Sequence, residues 1–451
     1  MHPTPVIANG LNELITQIKE KGYRIGSIDQ LLSEKKINIK FQGDIYLIEK
    51  HVCKNGLRIV SEHIPTVRSV TIGIWVLAGS RNETEQNNGI SHFLEHMFFK
   101  GTKTKSAQDI AEAFDSIGGH INAFTSKEYT CYYAKVLDNH KEYALDLLAD
   151  MFFNSTYESD EMAKEKKVVL EEIKMYDDTP DDIVHDMLAH ASFGEHALGY
   201  PILGTKKHLD SFSDSTLRDY MENYYTPENI VISIAGNIDD SFIQLIERSF
   251  GSFKTKGKRE KIVSPLFHTN HIQKVKETEQ AHLCLGFKGL PVYNDNIFSM
   301  VILNNILGGS MSSRLFQQVR EQQGLAYSVF SYHSSFLDTG LLTIYAGTGK
   351  NQLTLLKDTI LATIHQLIEK GITDKELKNS KEQLKGNMVL GLESTSSRMS
   401  RNGRNELLLN RHRNLDEMVH AIDAVTHEQI RFVIDNVFNQ DYSSALVSPE
   451  K

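Results

Sequence analysis

Cysteine and proline are scarce in this chain of 451 residues: three Cys and nine Pro. Cys53, Cys131 and Cys284 stand far apart and are odd in number, which excludes a disulfide framework and a C-x-x-C metal site. With 29 Gly and 40% apolar residues, collagen-like, low-complexity and largely disordered chains are excluded as well. Long apolar runs are missing. Val70 to Gly79 is the longest clean one, far short of the roughly 20 residues of a membrane span. The N-terminal MHPTPVIANG lacks the basic and apolar regions of a secretory signal. Positive charge is in deficit, with 49 Lys and Arg against 58 Asp and Glu, and no basic stripe offsets the net −9. A nucleic-acid backbone or an anionic membrane is therefore excluded as the main partner. A soluble protein of a reducing, cytoplasmic setting is expected.

The chain reads as alternating strands and helices. Residues 1–48 form an N-terminal extension, with helical spacing at Leu11, Leu14, Ile15 and Ile18, a short strand RIGSI and a second helix DQLLSEKK. A hairpin follows around Asn55-Gly56, then a buried strand over Val70–Leu77. SHFLEHMFFKG and SAQDIAEAFDSIG are predicted helices, the second capped by Ser106. HINAFTSKEYTCYYAKVL is a strand pair, and a long helix from Asp160 stops at Thr179-Pro180. The polar, Lys-rich stretch 252–265 is a linker. Beyond it the same order recurs: HLCLGFKG as a strand, two helices, the strand pair AYSVFSYHSSFLDTGLLTIYAG and further helices. Two tandem domains are thus expected, over 49–255 and 256–451.

His92-Phe93-Leu94-Glu95-His96 carries the chemistry. On a helix, His92 and His96 are one turn apart and Glu95 is three residues from His92, so all three leave one face. Two imidazoles at that spacing can bind Zn²⁺, with room for a third protein ligand and a water. A carboxylate beside them can take that water's proton and pass it to a leaving amine. The motif alone is suggestive, since exposed histidines on a helix share the spacing. The helical period divides the helix from Asp160 to Asp178 into two stripes. Lys164, Lys167, Glu171, Lys174 and Asp178 form a solvated stripe. Glu165, Val168, Val169, Glu172, Met175 and Tyr176 form an inward one. Two inward carboxylates need partners, which favours Glu172 over Glu171 as the third ligand. The alternative is that Glu165 and Glu172 pair with basic side chains elsewhere.

Four separated stretches, GISHFLEHMFFKGT, GGHINAFTSKEYTCYY, KEKKVVLEEIKMYDDTPDD and SSRLFQQVREQQGLAYSV, resemble in order and spacing the M16 (pitrilysin-type, inverzincin) zinc metallopeptidases. Within them the likeness is to the processing-peptidase β-subunit branch and its bacterial relatives, across about residues 49–440. The resemblance implies an α+β fold. Its two homologous domains are each a largely antiparallel sheet with helices packed on one face, together half of a clamshell. It implies one Zn²⁺ on His92, His96 and Glu172, with Glu95 as general base and Glu165 assisting. Asn122, Ala123 and Phe124 are implied to pair with extended substrate by strand addition. Arg320 and Tyr327 are implied to reach from the second domain to the substrate carbonyl. The implied function is a zinc endopeptidase acting on short or unfolded peptides inside a chamber closed by a second unit. Gly308-Gly309-Ser310 is too short for the glycine-rich loop of a non-catalytic processing subunit, so a homodimer is expected. The competing expectation is a catalytically silent structural subunit. Residues 1–35 resemble the C-terminal end of a polysaccharide deacetylase, without its metal motif.

Overall fold

The computed structural model describes residues 48–255, 257 and 262–449. The expected helix–strand–helix of the extension lies outside them. The first sheet is built from β1 (Ile48–Val52), β2 (Arg58–His63), β3 (Ser69–Val76), β4 (His120–Thr125), β5 (Thr130–Leu137) and β6 (Ile230–Gly236), in the order β1-β2-β6-β3-β5-β4. Its helices are α1 (Ile90–Met97), α2 (Ala107–Asp115), α3 (Lys141–Asn154), α4 (Ser159–Asp178), α5 (Pro180–Phe193), α6 (Lys206–Ser211), α7 (Asp214–Tyr224) and α8 (Asp240–Phe250). Local signals explain several of the boundaries. Gly56, at φ +92, turns the first hairpin, where few L side chains fit. Ser106 accepts from the Asp109 N–H and closes a capping box on α2. Pro180 ends α4 and opens α5 as its first residue.

The second half repeats the design. β7 (His271–Val275), β8 (Ala281–Gly289), β9 (Ala326–Ser335), β10 (Gly340–Thr348) and β11 (Ser443–Ser448) run in the order β7-β11-β8-β10-β9. Each sheet contains one parallel pair, β2 with β6 and β7 with β11, and every other neighbour is antiparallel. Superposing the two orders matches β3 to β8, β5 to β10 and the edge strand β4 to the edge strand β9, and β1 has no counterpart. The recurrence expected from element order is therefore a recurrence of topology. The second set of helices is α9 (Ile297–Leu307), α10 (Leu353–Lys370), α11 (Asp374–Gly391), α12 (Thr395–Leu409), α13 (Leu415–Asp423) and α14 (His427–Phe438). The second of the two helices expected between HLCLGFKG and the strand pair, in SRLFQQVREQQG, is largely a π-helix over Phe316–Gln322.

Each sheet carries helices of its own half on one face, as expected, and a helix of the other half covers the opposite face. The outer face of the first sheet lies on a core that includes Phe93, Phe114, Leu148 and Phe242. Its opposite face is covered by α12 of the second half, which packs on β2, β3 and β6. Thr71 Oγ1 meets Thr395 Oγ1 at 2.9 Å, and Trp75 Nε1 donates to Met399 Sδ at 3.2 Å. Gly403 permits this approach, because a Cβ there would stand 2.4 Å from Trp75 Nε1. In return α5 crosses to the second sheet. Its Ile183, Val184, Leu188 and Phe193 share a buried cluster with Cys284, Tyr345, Ala445 and Val447. Buried Arg81 adds a polar tie, bonding Glu128 in the β4–β5 turn at 2.6 Å and Asp338 in the β9–β10 turn at 2.7 Å.

Candidate metal centre and active site

The helix carrying the histidines is fixed at its start. Gly89 (φ +92) precedes α1, and a Cβ there would fall 2.7 Å from the Leu203 carbonyl. The first N–H groups of a helix lack intrahelical partners. Here the Glu83 carboxylate accepts from the Gly89 N–H at 2.7 Å and the Ser91 N–H at 2.9 Å, and also from Asn88 Nδ2 at 2.8 Å. Burial pushes the Glu83 carboxyl up, and those donors oppose it. Glu83 thus sets where α1 begins, and with it where His92 and His96 point.

His92 Nε2 lies 3.7 Å and His96 Nε2 lies 3.5 Å from Glu172 Oε2, which reaches in from α4. These three donors form one of two groups among the described residues that could hold a metal ion. The donor set fits Zn²⁺: bonds of 2.0–2.1 Å in a tetrahedron place donors about 3.4 Å apart. Burial pushes His92 down to about 4, so its imidazole is neutral, as a ligand must be; its Nδ1 is buried with no partner among the described residues. At His96 burial alone would lower the value, but hydrogen bonds to Glu165 and Glu172 outweigh it and hold His96 at about 9 without metal. The hydrogen bond from His96 also keeps Glu172 below the usual carboxylate range.

Glu165 stands behind His96. Its Oε1 meets His96 Nδ1 at 2.8 Å and its Oε2 meets Lys100 Nζ at 2.6 Å. Of the two expected kinds of partner, a metal or a basic side chain, Glu165 has the basic one in Lys100, with the His96 ring beside it. This carboxylate–histidine contact fixes the orientation of the His96 ring, the geometry found behind metal-binding histidines. Glu95 follows on α1, and its Oε2 accepts a 2.5 Å hydrogen bond from Thr125 Oγ1 at the end of β4. Burial raises the Glu95 carboxyl, with the Thr125 bond opposing. Glu83, Lys100 and Thr125 were not among the residues singled out from sequence. Lys100, one turn beyond His96 on the same face, is the one whose spacing could have marked it.

The helical phase of α4 holds for the acids: Glu171 is exposed and pairs with Lys174 at 2.7 Å, while Glu172 turns inward. It fails for two apolar positions. Val168 and Met175, expected inside, are exposed, and the buried line runs through Met162, Glu165 and Val169. Asn122, Ala123 and Phe124 lie on the edge strand β4, whose far end carries Thr125. The Ala123 N–H bonds Asn122 Oδ1 at 2.8 Å. Arg320 and Tyr327 are brought to each other: the guanidinium lies 4.5 Å from the Tyr327 ring centroid and 4.8 Å from that of Phe316. Tyr327 is 78% exposed. No hydrogen bond or ion pair among the described residues links the pair to the histidines.

A model of Insulinase (Peptidase family M16) matches residues 58–206, and a model of the Peptidase M16 inactive domain matches residues 211–384. The chain belongs to peptidase family M16. It is 62% identical to "Uncharacterized zinc protease YmxG" of Bacillus subtilis, over 89% of this chain and 98% of that protein. It is 39% identical to an uncharacterized zinc protease of Streptomyces coelicolor, over 95% of both chains. In fold it matches a protease from Helicobacter pylori (TM-score 0.83, 23% identity, 90% of this chain and all of that one). It also matches a peptidase M16 inactive domain from Pseudomonas fluorescens (TM-score 0.84, 20% identity, 90% and 98%). This M16 chain is a zinc metallopeptidase. The deacetylase resemblance of residues 1–35 is not borne out. The matching families are both M16, and the Streptomyces alignment covers too much of the chain to exclude the whole extension. No described helix is long and apolar enough to cross a membrane.

Proposed function

We propose that the chain is an endopeptidase for short or unfolded peptides, its residues 49–255 supplying the catalytic domain and 256–451 the second wall of the cleft. The convergence of His92 Nε2, His96 Nε2 and Glu172 Oε2 beside Glu95 carries the proposal. Those three residues hold the ion. Bound Zn²⁺ supplies Lewis acidity to the scissile carbonyl and to the attacking water. Thr125 occupies Glu95 Oε2, leaving Oε1 to accept the water's proton and return it to the leaving amine. The raised carboxyl of Glu95 suits it to hold that proton. Asn122, Ala123 and Phe124 offer an unpaired strand edge to an extended backbone, and that edge leads to Thr125 and so to Glu95. Only a short or unfolded chain can extend in this way. Arg320 and Tyr327 bind the substrate from the second wall, and the π-helix that carries Arg320 is a device common at functional sites. A second copy of the chain closes the chamber. Three free, buried cysteines suit a reducing, cytoplasmic setting.

Purified chain incubated with a peptide library, with and without chelator, is expected to cut internal bonds only when metal is present, as mapped by mass spectrometry. Glu95→Gln should keep its zinc and lose about 10²–10⁴-fold in kcat. Near-normal turnover by that variant at full zinc occupancy would overturn the assignment of the base.

A further inference from the structure

A second set of metal donors meets at the opposite edge of the first sheet. His51 in β1 and Cys53 just beyond it are two residues apart on extended chain, so both side chains leave one face. Glu247 reaches them from α8. His51 Nε2 lies 3.1 Å from Glu247 Oε2, and with Cys53 Sγ the three donor atoms lie within 4.8 Å of one another. The thiol is buried, while the imidazole and the carboxylate are part-exposed. The backbone around them is fixed. Asn55 Nδ2 donates to the Phe250 carbonyl at 2.9 Å and to the Phe253 carbonyl at 3.2 Å, which ties the turn after Cys53 to the end of the helix that carries Glu247. The Cys53 N–H bonds the Leu57 carbonyl at 2.8 Å and closes the hairpin.

We propose that His51, Cys53 and Glu247 bind a second divalent ion of the borderline class, Zn²⁺ foremost. Thiolate, imidazole and carboxylate are all zinc ligands, and donors around tetrahedral zinc stand about 3.4–3.6 Å apart. Drawing the three atoms in to that spacing takes about an ångström of side-chain movement, and the exposed ends of His51 and Glu247 are free to make it. The thiol proton passes to solvent on ligation, and water fills the fourth position on the open side. Burial, with the Glu247 charge adding, holds the metal-free thiol up at about 11, which sets Cys53 apart from reactive nucleophiles. Five strand spacings separate β1 from β4, roughly 24 Å, so this ion serves structure: it clips the outermost strand to α8.

The test uses the full chain stripped of metal and titrated with Co²⁺, whose thiolate complexes show a near-ultraviolet charge-transfer band. The His92, His96 and Glu172 set contains no sulfur and cannot give that band. Two equivalents should bind, one of them with the band. His92→Ala with His96→Ala should remove one equivalent and keep the band. Cys53→Ala should remove the other equivalent and the band, and Glu247→Gln should weaken that site at least tenfold. A wild-type chain without the band at saturating Co²⁺, or a band that survives Cys53→Ala, would overturn the proposal and leave the peptidase centre untouched.

Discussion

Replacing Glu165 by Gln separates a positioning role from a catalytic one. Glu165 is 4% exposed and its two oxygens face two donors, His96 Nδ1 at 2.8 Å and Lys100 Nζ at 2.6 Å. An amide has one acceptor oxygen. If that oxygen stays on His96, the new NH₂ group confronts the Lys100 ammonium, donor against donor. Lys100 is the more exposed partner and can swing to solvent. His96 then keeps a neutral acceptor in place of a charged one, and its Nε2 becomes a weaker ligand. Loss of such a partner lowers metal affinity about 10–100-fold, roughly 1.4–2.7 kcal/mol. Competition against a chromophoric chelator reads the affinity directly. With zinc at saturation, kcat should recover to within a few-fold, because Glu165 acts through His96. Unchanged zinc affinity with kcat lost at saturating zinc would refute the reasoning and make Glu165 a proton-transfer group.

Glu172→Gln should lower zinc affinity more steeply than Glu165→Gln, while Glu171→Gln, which loses only an exposed pair with Lys174, should hold metal like the wild type; equal losses in the two would mean the phase of α4 is misassigned. Arg320→Ala and Tyr327→Phe should keep zinc and thermal midpoint yet lose activity, read as kcat/KM on a fluorogenic peptide, and unchanged kcat/KM in both would remove them from the site. His333 gives a pH signature: its Nε2 accepts the Leu290 N–H at 3.0 Å, and burial pushes the imidazole down to about 4. An unfolded histidine titrates near ~6.5, so stability should fall as pH drops from about 6.5 to 4, by up to about 3 kcal/mol. His333→Asn should remove that part of the slope in urea unfolding at pH 7 and 4.5, and an unaltered slope would show that His333 is not the group responsible.

The parts legible from sequence were those specified locally. The Asn55-Gly56 turn, the Ser106 cap and the stop at Thr179-Pro180 each act within a few residues, and all stand where expected. The convergence of His92, His96 and Glu172 was legible for a related reason: the two histidines share one turn of α1, and the phase of one helix chose between Glu171 and Glu172. Val168 and Met175 escaped because hydrophobicity alone cannot say how wide the covered stripe of a helix is. Thr125 meets Glu95 only through the approach of β4 to α1, which no local pattern announces. Glu83 lies just ahead of α1 and caps Gly89 and Ser91 across a short loop, at a spacing that matches none of the usual capping patterns. The reciprocal helices were the largest omission. α12 reads as a polar segment, TSSRMSRNGRNELLL, and its inward contacts are made by Thr395, Met399 and Gly403. Their partners, Thr71 and Trp75, lie more than three hundred residues away in sequence, beyond any periodicity.

That exchange constrains how the peptidase can open. Pulling the two halves apart would strip α12 from Trp75, which is 2% exposed, and α5 from the cluster around Tyr345 and Val447. Each large apolar side chain so uncovered costs about 1.5–3 kcal/mol, and Arg81 would leave Asp338 as well. Several such terms together approach the whole stability of an ordinary domain, about 5–15 kcal/mol. A cleft between the halves therefore cannot serve as the gate for substrate without partial unfolding. In the proposed chamber the gate lies at the contact with the second copy, where no helix is exchanged within the chain. The same reasoning bears on dissection. A fragment ending near residue 260 would lack α12 and leave one face of the first sheet bare around Trp75. Its inactivity would report a lost core, so the part played by Arg320 and Tyr327 has to be read from point variants of the whole chain.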